Sequence, residues 1–222
     1  NARIPSPGLN LPASKIAAFY PLNSIVDSNF LDESIHQNDA AITGGVTLTD
    51  TSFGNIATLG GVDGEAVITT NTALQAVTSK IIVSFIVEVN QQSNGYLIYS
   101  NEIKLQYEHD VAKLNLGVKI GGSIRSRSVS NIEQNKKYLL TYCYNGTEYF
   151  LKKNTIEPTR SNTTGVVAIG NANISIGKIS SNYFAGKISS LFILNDCTDE
   201  LIEAVESRIL LNSNNLGTEK NR

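Results

Sequence analysis

A chain of 222 residues is long enough to bury a substantial core within one domain. Its 18 Lys and Arg residues nearly balance 20 Asp and Glu residues, so no basic excess favours a nucleic-acid partner and no acidic tail predicts disorder. No apolar run is long enough to span a bilayer, so the sequence predicts no membrane insertion. An export signal is not visible in the chain.

The chain begins with a proline-rich segment, residues 1–14, which contains Pro5, Pro7 and Pro12. Each proline removes a backbone donor from any strand ladder, so this segment is predicted to be a linker or an extended arm. One domain is expected over residues 15–212, because no later change of composition suggests a boundary. The polar residues 213–222 are expected to form a tail.

Most of the domain consists of short apolar runs separated by turn signals, which are typical of β-strands. In the clearest run, residues 81–89, Val83, Phe85 and Val87 share one face, and the opposite face is also mostly apolar. Such a strand is expected at the centre of a sheet that is covered on both sides. The other predicted strands are residues 15–22, 40–49, 56–59, 66–69, 96–100, 102–108, 113–120, 124–129, 137–144, 148–152, 166–169, 174–179 and 187–194.

A single helix is predicted near the C-terminal end of the domain. The Thr198 hydroxyl can cap its first turn, and Leu201, Ile202, Val205 and Ile209 recur at helical spacing. About a dozen short strands and one helix predict an all-β fold, an antiparallel two-sheet jelly-roll sandwich with one C-terminal helix.

Five stretches carry a family resemblance in their order and spacing. They are residues 19–41 (FYPLNSIVDSNFLDESIHQNDAA), 57–70 (ATLGGVDGEAVITT), 81–90 (IIVSFIVEVN), 136–153 (KKYLLTYCYNGTEYFLKK) and 183–204 (YFAGKISSLFILNDCTDELIEA). Together they resemble laminin-G-like domains of the concanavalin A-like lectin/glucanase superfamily. The resemblance implies the two-sheet sandwich, but a fold by itself implies no activity.

The residue patterns of the enzymes in this superfamily are absent. The glucanase branch places Glu-x-Asp-x-Glu on one strand, whereas Glu102 and Glu108 here are six positions apart. His36 and His109 do not lie in the Gln-x-His setting of the alginate lyases, and no Gly-x-Ser-x-Gly elbow occurs. The sequence therefore predicts no enzyme, and the alternative is a degenerate or unrecognised polysaccharide hydrolase or lyase.

Calcium is the one cofactor that the sequence suggests, because this ion prefers carboxylate and carbonyl oxygens on loops. Asp32, Asn38 and Asp39 lie in one polar loop, and Asp63 lies in a glycine-rich hairpin. The resemblance implies a further Asp in the last long strand, where this chain has Ser189. A structural calcium at the four loop residues is thus a hypothesis, and the alternative is that these residues only form turns.

Carbohydrate binding requires aromatic rings that stack on sugars and polar groups that bind hydroxyls. The chain has no Trp, so its Tyr residues are the candidate platforms, except that Tyr142 and Tyr144 share a strand face with Leu140 and are predicted to be core. Arg125 and Arg127 alternate on one strand and could bind an anionic group. The candidate carbohydrate contacts are Tyr99, Tyr107, Arg125, Arg127, Asn182 and Tyr183.

The two cysteines, Cys143 and Cys197, are 54 positions apart and form no metal signature. Two readings remain open for them, a disulfide or a pair of free thiols. A sandwich of this size does not need a disulfide for stability.

The expected function is that of a non-catalytic carbohydrate-binding or adhesion module of a larger surface, secreted or phage tail protein. The expected partner is a surface glycan or polysaccharide, at an extracellular, cell-surface or virion location. The remaining alternative is a structural protein-interaction or oligomerisation module, and the proline-rich arm is compatible with it.

Overall fold

A computed structural model describes residues 11–51, 54–60, 63–90, 94–156, 158–179 and 182–212. These residues form two antiparallel sheets packed face to face, with a C-terminal helix on the outer side of one of them. The predicted class, an antiparallel two-sheet sandwich with one C-terminal helix, is confirmed. Residues 1–10 and 213–222 lie outside the description, so the division into arm, domain and tail remains a prediction.

The regular elements are short, as the turn-rich sequence predicts. The strands are β1 (Ile16–Tyr20), β2 (Asn29–Phe30), β3 (Ala40–Thr43), β4 (Val46–Thr51), β5 (Gly54–Gly60), β6 (Glu65–Ile68), β7 (Ile81–Val89), β8 (Gly95–Tyr99), β9 (Ile103–Glu108), β10 (Lys113–Ile120), β11 (Ser123–Val129), β12 (Lys137–Tyr144), β13 (Glu148–Lys153), β14 (Ser161–Asn162), β15 (Ile174–Ile176), β16 (Lys178–Ile179), β17 (Asn182–Tyr183) and β18 (Ala185–Leu194). The α-helices are α1 (Thr72–Gln75) and α2 (Asp199–Asn212), and Ala13–Lys15 and His109–Val111 form 3-10 turns. None of these helices has the length and apolar character needed to cross a bilayer.

Sheet A has the strand order β14-β13-β12-β7-β18-β5-β4, and β1 pairs with β18. All nine residues of β7 are buried, which confirms the prediction of a central strand covered on both faces. A left-handed residue, Ser190 (φ 55°), lies in an irregularity of β18. This irregularity lets the first half of β18 pair with β5 and the second half pair with β1.

Sheet B has the order β11-β10-β9-β8-β15-β6-β3-β2, and β16 and β17 form a small separate ribbon. The predicted strand 40–49 is instead two strands, β3 in sheet B and β4 in sheet A. Gly44 lies between them with φ 70°, and a Cβ there would approach the Asp63 carbonyl oxygen to 1.9 Å, so only glycine fits this crossing. The predicted strand 166–169 is only an isolated bridge between Ile120 and Val167.

Two apolar clusters hold these layers together. The larger lies between the two sheets, and the smaller lies between sheet A and α2. The Thr198 Oγ1 accepts a hydrogen bond from the Leu201 amide at 3.3 Å, which confirms the predicted cap of α2. Under this helix the rings of Phe19 and Phe192 stack with centroids 3.9 Å apart, and this contact joins β1 to β18.

Sheet A also carries a buried carboxylate, Glu88, on its outer side. Its side chain is only 7% exposed, and it accepts hydrogen bonds from Lys187 Nζ at 2.6 Å and Asn90 Nδ2 at 3.1 Å. Burial alone would raise the pKa of Glu88, but these bonds and the charges of Lys187 and Lys137 outweigh it and lower that pKa.

We expect the substitution Phe192→Ala to lower the free energy of unfolding by about 3–5 kcal/mol, because it leaves a cavity beneath α2. Urea denaturation monitored by circular dichroism measures the change. Leu211→Ala is the matched control: this α2 side chain is 59% exposed, so its truncation should cost less than about 0.5 kcal/mol. Equal losses in the two variants would contradict the packing described here.

We expect Glu88 to stabilise the protein at neutral pH and to lose this effect in acid. A carboxylate whose pKa is lowered by folding stabilises above its unfolded pKa of about 4.3, and the contribution disappears as the pH falls through the folded value. The difference in unfolding free energy between wild type and Glu88→Gln should therefore shrink below about pH 4.3.

The control for this titration is Glu133→Gln, because the Glu133 side chain is 69% exposed. Denaturant titrations at several pH values should show a small and constant effect for this variant. A constant difference for Glu88→Gln as well would contradict the assigned role of Glu88.

Candidate functional site

The outer face of sheet B carries polar side chains that alternate with core residues. On β9, Ile103, Leu105 and Tyr107 are buried toward sheet A, whereas the three intervening side chains are partly exposed. The neighbouring strand β10 repeats this alternation. The outward residues of these two strands are Lys104, Gln106, Glu108, Lys113, Asn115, Gly117 and Lys119.

Two tyrosines of β8 extend this face. Tyr96 pairs with Gln106 and Tyr99 pairs with Lys104, although residues three positions apart normally point to opposite faces of a strand. The register shifts between Tyr96 and Ile98, and this irregularity brings both tyrosines to the outer face. Their ring centroids are 5.4 Å apart in an edge-to-face arrangement.

The tyrosine pair is bordered by a cation and an amide. Lys104 Nζ lies 5.2 Å from the centroid of the Tyr99 ring, within the range of a cation–π interaction. Gln106 lies beside Tyr96 and offers both a donor and an acceptor. The four side chains Tyr96, Tyr99, Lys104 and Gln106 therefore form one patch, the tyrosine patch, with aromatic, cationic and amide groups.

Another predicted residue, Tyr183, lies on the β16–β17 ribbon. Lys178 Nζ is 5.3 Å from the centroid of its ring and 3.2 Å from the Glu65 carboxylate, which projects from sheet B. The hydrogen bond and charge of Glu65, together with Tyr183, raise the pKa of Lys178. Asn182 lies on the same ribbon, but its side chain is outside the described part of the structure.

Tyr107 does not lie on the binding face that its residue type suggested. Its side chain is 1% exposed and faces sheet A, in phase with Ile103 and Leu105. Burial raises the pKa of its hydroxyl. A ligand on the outer face cannot reach this ring, so the prediction of Tyr107 as a contact is corrected.

Arg125 and Arg127 are also absent from the outer face. They pair with the buried residues Val118 and Leu116 and project to the inner side of β11. The Arg127 guanidinium lies 5.4 Å from the Tyr149 ring centroid, and its Nη2 donates to the Thr159 carbonyl oxygen at 3.1 Å. The two arginines thus close the edge of the sandwich between β11 and β13, away from Tyr99.

The Asp32 carboxylate does not fit a calcium site. Its Oδ1 accepts hydrogen bonds from the amides of Phe19 and Ser34, and its Oδ2 accepts from Ser34 Oγ and the Asn38 amide. Asp39 in turn accepts from the Asp32 amide at 2.9 Å. The Asp32 carboxylate thus holds its own loop together through the hydrogen bonds that it accepts. This is the role that the alternative prediction, a turn-forming residue, gives it.

The fourth predicted calcium ligand, Asp63, stabilises a different turn. Its Oδ1 accepts from the Gly45 amide at 3.0 Å. Within the described ranges, no three His, Cys, Asp or Glu side chains are grouped so that they could hold a metal ion. The carboxylates of Asp32, Asp39 and Asp63 are thus not among such a group in the described residues.

Comparisons with known proteins reveal the fold but no family. No protein-family model matches the sequence, and no curated protein matches it. Similar solved structures include the binding domain of botulinum neurotoxin DC in complex with rat synaptotagmin II, with a TM-score of 0.69 and 14% identity over 90% of this chain and 52% of that one. At this identity the likeness shows the fold alone.

Two further solved structures show the same relationship. The binding domain of Paraclostridial Mosquitocidal Protein 1 has a TM-score of 0.68 and 16% identity over 89% of this chain and 52% of that one. A structure of botulinum neurotoxin type C, whose cell entry depends on interaction with two ganglioside molecules, has a TM-score of 0.65 and 12% identity over 91% and 51% of the respective chains. This chain thus spans about half the length of these solved structures.

We expect added calcium to leave the melting temperature of the wild-type protein unchanged, because the Asp32 oxygens already accept hydrogen bonds. Asp32→Asn should lower the free energy of unfolding by about 1–3 kcal/mol, since an NH2 donor replaces one of the two acceptor oxygens and leaves its donors unpaired. Thermal melts with excess calcium and with a chelator test both statements. Asp63→Asn, on an exposed side chain, should cost less. A calcium-dependent rise that Asp32→Asn removes would contradict this assignment.

Proposed function

We propose that this domain is a non-catalytic carbohydrate-binding module and that it binds glycans on the outer face of sheet B. The observation that carries the proposal is the tyrosine patch. Its two rings are partly exposed on the outer face of the sheet, and Lys104 and Gln106 lie beside them. Tyr183 on the β16–β17 ribbon, beside Lys178, is a further candidate contact.

The chemistry of the patch suits a sugar. The ring of a tyrosine can stack on the apolar face of a pyranose, while amide and ammonium groups hydrogen-bond to its hydroxyls. Each such hydrogen bond contributes only about 0.5–1.5 kcal/mol after desolvation. Binding at one domain would therefore be weak, and several domains in one assembly would supply avidity.

The similar solved structures support this proposal by what they bind. One is a binding domain of botulinum neurotoxin DC in complex with SialylT, and another concerns the interaction of botulinum neurotoxin type C with two ganglioside molecules. Their greater length is consistent with a domain that belongs to a larger protein. The proposal also includes an extracellular, cell-surface or virion location and a relationship to laminin-G-like domains.

The proposal that the domain is non-catalytic rests on the hydrogen bonds of two carboxylates, Glu102 and Glu108. Glu102 is 5% exposed, and its two oxygens accept hydrogen bonds from the amide and Nδ2 of Asn171. Glu108 on the outer face hydrogen-bonds to Asn115. Both carboxylates are thus occupied by hydrogen bonds within the fold, whereas glycoside hydrolysis uses a pair of carboxyl groups that flank the substrate bond.

A protein-binding module is the second candidate, and exposed apolar side chains between β1 and β3 favour it. Ile25, Val26, Leu31 and Ile35 are 37%, 43%, 37% and 64% exposed, respectively. A segment that exposes several large apolar side chains is typical of protein–protein contact sites. The two candidates use different residues, so a single set of variants distinguishes them.

We expect Tyr99→Ala to weaken glycan binding about tenfold, because loss of a stacked ring removes about 1.5 kcal/mol. A glycan array probed with an oligomerised form of the domain, with and without calcium, identifies the ligand, and titration of that ligand measures the affinities. Tyr99→Phe keeps the ring and should retain most of the binding.

Arg125→Ala is the control from the other side of the sheet and should leave glycan affinity unchanged. An affinity that falls with Arg125→Ala but not with Tyr99→Ala would place the site at the sandwich edge and contradict the proposed face. A blank array together with tight binding to a protein, reduced by Ile35→Ser, would favour the second candidate.

A further inference from the structure

The two cysteines meet beneath α2, on the side of the molecule opposite the tyrosine patch. Cys143 is on β12, and Cys197 lies in the turn that leads into α2. Both are free thiols, and both belong to the apolar cluster between the helix and sheet A. Both side chains pack in this one cluster, and the neighbouring Cys197 helps to raise the pKa of Cys143, although 54 positions separate the two in the chain.

The surroundings of the two thiols differ. Cys143 is fully buried, and this burial raises its pKa well above the ordinary value, as do the neighbouring Cys197 and the charge of Glu206. Cys197 is 4% exposed and lines an open cleft of about 300 Å³. Only Cys197 is thus positioned to meet a small molecule from solvent.

The cleft has a lining of mixed charge. Its walls include Phe150, Arg160, Asp199 and Glu200 besides Cys197. The Arg160 guanidinium lies 3.4 Å from the Glu148 carboxylate and 3.8 Å from that of Asp199, so its positive charge is shared with these carboxylates. A small peptide disulfide that carries both carboxylate and ammonium groups therefore finds groups of opposite charge beside Cys197.

We propose that Cys197 and Cys143 are a redox pair, in which Cys197 reacts with a low-molecular-weight disulfide such as glutathione disulfide and Cys143 completes an intramolecular disulfide. In the first step the Cys197 thiolate attacks one sulfur of the small disulfide. A mixed disulfide forms, and the other half leaves as a thiolate that takes up the proton.

In the second step Cys143 attacks the Cys197 sulfur of the mixed disulfide. The bond to the small molecule breaks, and its second half leaves as a thiol with the Cys143 proton. The protein loses two hydrogens and two electrons, and one small disulfide is reduced to two thiols. The product links β12 to the start of α2 and stabilises the fold by restricting the unfolded chain.

Incubation of the native protein with glutathione disulfide, followed by intact mass spectrometry, tests the proposal. We expect the wild type to lose two hydrogens and its melting temperature to rise, with both changes reversed by dithiothreitol. Cys143→Ser should stop at the first step and gain one glutathionyl group. Cys197→Ser should gain none under the same native conditions, because Cys143 is buried.

Wild-type protein unfolded in urea is the control for intrinsic reactivity. A native wild type that stays reduced over the time in which the unfolded protein is fully oxidised would overturn the proposal. So would a glutathionyl group on Cys197→Ser but not on Cys143→Ser. Cys143→Ala and Cys197→Ala replace the serine variants if a buried hydroxyl prevents folding, and the wild-type mass change decides the question without any variant.

Discussion

The architecture depends on the burial of sheet A on both of its faces. Its central strand β7 is buried at all nine positions, and a strand that is apolar on both sides needs a layer on each side. Sheet B supplies one layer, and α2 with its apolar stripe supplies the other. Because the C-terminal helix lies on sheet A, the outer face of sheet B keeps partly exposed polar and aromatic side chains.

Local irregularities in β18 and β8 determine which strands pair with β18 and which face the side chains of β8 occupy. In β18 the left-handed Ser190 divides one strand between two neighbours, which lets β1 join sheet A and place Phe19 against Phe192. In β8 the register shift after Tyr96 brings two tyrosines to the same face. Bulges of this kind commonly redirect side chains at functional positions, and here one of them builds the tyrosine patch.

The two proposed activities use opposite sides of the molecule. Glycan binding uses the outer face of sheet B, whereas the thiol pair lies beyond sheet A, beneath α2. The between-sheet core separates them. Oxidation of the thiols should therefore change the stability of the domain without altering the shape of the tyrosine patch, so the two proposals stand independently of each other.

The sequence by itself determined the fold class and the local elements. Residues 81–89, 113–120 and 137–144 are strands with the predicted bounds, and Thr198 caps the helix as predicted, because strand period and helix capping depend on residues close in the chain. Only the tertiary structure decided which face the tyrosines of β8 and the arginines of β11 occupy. The inward turn of Arg127 and the bond from the Phe19 amide to Asp32 depend on register and on contacts between distant segments, which no local pattern encodes.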